Sequence, residues 1–145
     1  MSDTGSSDAR QRITADRLEI HELLAAYTWA LTDRDWTTWR SLFTDDAHLD
    51  YSTAGGPVCG IDEAVEWIGP TMAGFDVVIG HGGNVVVSFD GHSRATARSI
   101  YKMVMKLGGD TPTFLEACGW YDDVLTRTPD GWRISRRIEQ LAYIR

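Results

Sequence analysis

The sequence predicts an α+β domain, with helices packed on one face of a curved, mostly antiparallel sheet. Apolar residues recur at helical spacing near the start of the chain. From Val77 onward the pattern alternates, and turn signals cut it at Asp90-Gly91 and at Thr128-Pro129-Asp130-Gly131. Between the two lies Tyr27 to Tyr51, rich in large aromatics and acids. The remaining chain reads as a wall built around that stretch.

The elements follow in order. Residues 1–12 are small and polar and lack an apolar signal region, so they read as a disordered lead-in. A helix is expected from about Thr14 to Leu31, with Ile20, Leu24, Tyr27 and Leu31 as its apolar stripe. Asp16 and Glu19 would favour its start through the helix dipole. Asp33 or Asp35 is placed to cap a second helix carrying Trp36, Trp39, Leu42 and Phe43. Ala47, Leu49 and Tyr51 alternate with His48 and Asp50, as in a half-buried strand. A third helix is expected over Ile61–Ile68, stopped by Gly69-Pro70, with Trp67, Met72 and Phe75 clustered at the stop. Strands are expected over Asn84–Phe89, Ala95–Leu107, Thr113–Arg127 and Trp132–Ile144. Strands of that length curl, and helices across the open face enclose a pocket.

Composition removes several functions. The 145 residues fit one domain, 13–145, with enough length for a core and a cavity. The formal net charge is -7, and no basic run offers a nucleic-acid surface. No apolar segment approaches membrane-spanning length, and a cytoplasmic location is expected. Cys59 and Cys118 are expected as free thiols. His21, His48, His81 and His92 form no metal-ligand spacing, so neither metal nor cofactor is expected.

Three strings, YTWALTDRDWTTWRSLFTDDAHLDY, HGGNVVVSFDGHSRATARS and GWYDDVLTRTPDGWRISRR, come in a familiar order. The chain resembles the SnoaL-like branch of the nuclear transport factor 2-like superfamily over about residues 14 to 140. That resemblance implies a cone-shaped sheet whose concave face is covered by three N-terminal helices. It also implies a small-molecule cavity, and dimers. Members include polyketide cyclases, scytalone and bile-acid dehydratases, and a dehydrochlorinase. The dehydratase-like members use a His, oriented by an Asp, with Tyr hydroxyls polarising a substrate oxygen.

Carried over, the resemblance makes Tyr27 and Tyr51 hydroxyl donors, His81 the base and Asp33 its partner. Both of the last two sit one residue off the pattern. The family's Asp position is Thr32 and its His position is Gly80. One residue is about 100° on a helix and a reversed face on a strand. Either a bulge or irregular turn compensates, or neither side chain enters the pocket. Candidate ligand-binding residues are Trp29, Trp67, Met72, Phe75, Tyr101, Met103, Met105, Tyr121 and Arg137. Glu116 reads as outward, and Asp122, Asp123 and Arg127 as surface or inter-strand pairs. Arg136 and Arg137 point to opposite faces, and Arg137 is the choice for the cavity.

The expected function is a cofactor-independent lyase or isomerase acting on a hydrophobic polycyclic, aromatic or steroid-like molecule. The alternative is a non-catalytic ligand-binding protein, or an accessory subunit, of the same fold. A homodimer is expected through the outer sheet face, where Ile100, Val104, Trp120 and Val124 share strand parity.

Overall fold

The structure, a computed structural model, describes residues 4–145. The first helix, α1 (Thr4–Asp33), begins ten residues before the expected start. Residues 4–12, read above as lead-in, are therefore helical, while residues 1–3 lie outside the described ones. That first part of α1 buries no side chain, so no apolar stripe announces it. Asp16 and Glu19 are mid-helix rather than at its start. They bind the turn at the far end of the sheet instead. Asp16 pairs with Arg127 at 2.6 Å and accepts from Trp132 Nε1. Glu19 accepts the backbone N–H of Trp132 at 2.8 Å.

Next come α2 (Trp36–Ser41), β1 (Phe43–Asp50), a single 3-10 turn (Ser52–Ala54) and β2 (Val58–Gly60). Asp35 caps α2, accepting from Thr38 N at 3.0 Å. The third helix, α3 (Ile61–Ala73), runs through Pro70 rather than stopping there. The ring lies on the exposed side, and Ile61, Ala64, Ile68 and Met72 bury a stripe that continues past it. Four long strands follow: β3 (Val77–Asp90), β4 (Arg94–Leu107), β5 (Thr113–Thr128) and β6 (Gly131–Ile144). Strand β3 absorbs residues 77–83, which the sequence left outside a strand.

The sheet order is β2-β1-β6-β5-β4-β3. Every neighbouring pair is antiparallel except β1 and β6, which are parallel. The sheet curls without closing, and the three helices cover its concave face. Ala97, Ser99, Tyr101, Met103 and Met105 of β4 face inward, as their alternation predicts. Arg98, Ile100 and Lys102 face outward. Two bulges between β5 and β6, near Gly119 and Leu125, bend the wall around the interior. At the first, a Cβ on Gly119 would lie 2.0 Å from the carbonyl oxygen of Gln140, so only glycine fits. Among the described residues no helix is long and apolar enough to cross a membrane.

Candidate active site

Two cavities open inside the cone, and both touch Tyr27 and Tyr121. The smaller, about 190 Å³, lies between α3, the 3-10 turn and the strands β4, β5 and β6. Trp67, Met72, Phe75, Tyr101, Met103, Met105 and Tyr121 line it, together with Tyr51, Leu141 and Glu139. The larger, about 470 Å³, lies in the seam between α1 and β3 and reaches inward to Ser99 and Arg137. Trp29 and His81 stand at its outer rim.

The tyrosines form one buried group. Tyr27 and Tyr51 share a hydrogen bond between hydroxyls at 2.9 Å. Tyr101 stacks on Tyr121 with ring centroids 4.6 Å apart, and Tyr51 stacks on Trp67 at 5.5 Å. Burial pushes the phenols of Tyr51, Tyr101 and Tyr121 above their ordinary range. Each is thus a hydrogen-bond donor at neutral pH rather than a phenolate.

Strand β6 supplies the charges. Arg137, 1% exposed, donates to Asp123 through Nε at 2.8 Å and Nη2 at 2.7 Å. Asp123 lies directly across on β5, so the pairing follows from register. Of the surface and inter-strand pairings that the sequence leaves open for Asp123, the structure takes the inter-strand one. Desolvation opposes the guanidinium charge, but Asp123 overrides it and holds Arg137 firmly protonated. The rings of Tyr27 and Tyr121 pack against the Arg137 guanidinium, each with its centroid 4.0 Å from Cζ. Its Nη1 has no hydrogen-bond partner.

Two residues further along β6 stands Glu139, only 8% exposed. It shares strand parity with Arg137 and therefore points inward too. Burial raises its carboxyl above the usual glutamate range, against the hydroxyl of Tyr101 and the charge of Arg137, which pull it down. The Tyr101 hydroxyl is buried and makes no hydrogen bond of proper distance and angle. A carboxylate of raised basicity and a buried phenol thus meet at one apolar cavity.

The seam between α1 and β3 holds no such groups. His81 lies opposite Lys102 in register, with exposed Ile79 on the same outer parity. It makes no hydrogen bond to any tyrosine or aspartate among the described residues. The bulge of β3 falls at Gly83 to Val86, with Asn84 at φ 52°, beyond His81 and unable to turn it inward. Asp33, the last residue of α1, is exposed and lines neither cavity. At the family's own two positions, Gly80 N donates to Thr32 Oγ1 at 3.2 Å. Those positions do meet in space, but as a hydroxyl and a backbone amide. A Cβ at Gly80 would lie 2.6 Å from Thr28 Cγ2, so glycine lets helix and strand approach. Among the described residues no group of three or more His, Cys, Asp or Glu gathers as metal ligands would.

Sequence reasoning missed Glu139, although strand parity with Arg137 places it on the inner face. Glu116 faces out as expected, pairing with Lys102 and Arg145.

With that geometry in view, the comparisons define the class. Residues 12–138 match the SnoaL-like domain, so the chain belongs to the SnoaL-like family, within the NTF2-like superfamily. The uncharacterized protein Rv2910c of Mycobacterium tuberculosis (strain H37Rv) is 38% identical over 125 residues, covering 86% of this chain and 84% of the relative. Among solved structures, an NTF2-like protein with a cystatin-like fold from Novosphingobium aromaticivorans superposes with a TM-score of 0.80 at 26% identity, covering 98% and 92% of the two chains. A hexachlorocyclohexane dehydrochlorinase, LinA type 2, superposes with a TM-score of 0.81 at 16% identity, covering 94% and 91%. At that identity the likeness is one of fold.

Proposed function

We propose that this chain is a cofactor-independent lyase or isomerase acting on a hydrophobic aromatic, polycyclic or steroid-like molecule in the smaller cavity. The observation that carries the reading is Glu139, a nearly buried carboxylate facing an apolar cavity beside the unpartnered hydroxyl of Tyr101. Glu139 takes a proton from carbon adjacent to a substrate carbonyl. Tyr101 donates a hydrogen bond to the oxygen as it gains enolate charge. The proton then returns to another carbon, giving an isomer. Where a hydroxide or halide leaves the neighbouring carbon instead, an alkene forms, and a hydroxide takes the proton as water. The Tyr27–Tyr51 pair sits at the same wall as a second donor. The dehydrochlorinase on this fold supports elimination chemistry at the level of fold alone.

Hydrophobic cyclic ketones and their β-hydroxy derivatives test this, with conjugated products followed by ultraviolet absorbance. Turnover by the native chain that is lost in Glu139→Gln is the expected result. The second reading, a binding protein, draws on the Thr32–Gly80 contact that stands at the dyad positions. It requires thermal stabilisation by such ligands, equal in native chain and Glu139→Gln, without turnover in either.

A homodimer through the outer sheet face is the proposed assembly. Ile100 is 48% exposed there, and Val104, Trp120 and Val124 are half-buried beside it. Sedimentation at micromolar concentration should give twice the chain mass; a persistent monomer overturns the assignment.

A further inference from the structure

The larger cavity has a feature that proton transfer at Glu139 does not use. Asp123 occupies the Nε–Nη2 edge of Arg137, and the rings of Tyr27 and Tyr121 pack against the guanidinium. The nitrogen left without an acceptor is Nη1. That nitrogen is buried and unpartnered, and Arg137 lines the larger cavity but not the smaller one. A buried charged donor without an acceptor is costly, and natural interiors rarely keep one without a use.

The charge balance selects the acceptor. Arg137 is already neutralised by a bidentate carboxylate, and Glu139 stands two residues away on the same face. A ligand carboxylate would bring another anion into this buried group with no free positive charge to meet it. A neutral oxygen gains the hydrogen bond without that cost. Space is adequate, because Gly82 and Gly83 bring no side chains to the seam beside Ser99 and Thr28.

We propose that the larger cavity is a binding compartment for a neutral ligand that presents a carbonyl oxygen to Arg137 Nη1. This deepens the pocket reading but does not depend on Glu139 moving a proton. The ligand class it names is a neutral ketone, ester or amide rather than a free acid.

The test is calorimetric titration of the native chain at pH 7 with three probes of one skeleton: 2-acetonaphthone, 2-ethylnaphthalene and 2-naphthoate. The ketone should bind at least tenfold more tightly than either of the others. Ala25→Trp, which fills the exposed mouth of the larger cavity and touches neither Arg137 nor Glu139 in sequence, should abolish that preference. Glu139→Gln should retain it, so loss of catalysis and loss of this site are read separately. Naphthoate binding as tightly as the ketone overturns the proposal. So does equal binding of the hydrocarbon, an unaltered preference in Ala25→Trp, or no measurable binding of the ketone.

Discussion

Two regions flank Tyr27 in this cone. The seam between α1 and β3 is where the family resemblance places a His–Asp pair, and it holds Thr32 and Gly80 in contact. The wall of β5 and β6 holds Asp123, Arg137 and Glu139, all buried. The difference teaches that one fold can carry its buried charged groups on the sheet wall rather than at the seam of helix and strand. Helix and strand come together closely at Gly80 because it brings no side chain against Thr28. The charged groups stand on the wall, where register pairs them.

The largest effect should come from the wall. Asp123→Ala leaves Arg137 charged, buried and unpaired, and should cost about 3–5 kcal/mol in urea unfolding. Replacing both partners by apolar residues should recover much of that. A loss below about 1 kcal/mol for Asp123→Ala alone would mean the pair is not desolvated as described.

The seam comes next. Gly80→His, which puts a histidine where the resemblance would place one, should cost about 1–3 kcal/mol because the new Cβ meets Thr28 Cγ2. Adding Thr28→Ala should relieve it. If Gly80→His is neutral alone, the close approach of α1 is not fixed by this glycine.

Glu139 gives a pH signature. Its carboxyl is raised in the folded state, so between the ordinary glutamate range and the raised value the folded chain holds more proton than the unfolded one. Stability therefore falls as pH rises through that window, and the native chain is better off below it. In Glu139→Gln this part of the slope should vanish, seen as a flatter unfolding midpoint against pH. An unchanged slope would place Glu139 in solvent.

The smallest effect is expected at the rim. His81→Ala and Asp33→Asn should leave both the unfolding midpoint and turnover at native values, since both side chains are exposed and touch no buried partner.

Much of the fold was legible because apolar alternation on β4 and the stripe on α1 record which face is buried. The polar start of α1 was not, because it packs against little and carries no period. Nor was the continuation of α3 past Pro70, which depends on Met72 finding the core. At the site, parity placed the inner face of β4 and selected Arg137 over Arg136, yet the same parity one step further, at Glu139, passed unread. Asp123 reads as a surface or inter-strand partner, and its alternation with buried Tyr121 and Leu125 makes it the inter-strand one. Asp122 pairs with Arg98 on the outside. The one-residue offsets of Asp33 and His81 were visible, but whether a bulge absorbed them was settled by the position of Asn84.

The central claim is that Glu139, and not His81 with Asp33, moves the proton. Solvent deuterium incorporation into 2-tetralone, followed by proton NMR in D2O, tests it most directly. The native chain and His81→Ala should exchange the carbon-bound protons next to the carbonyl at the same rate above background. Glu139→Gln should exchange them about 10²–10⁴ times more slowly. Exchange that survives in Glu139→Gln, or disappears in His81→Ala, would contradict the account.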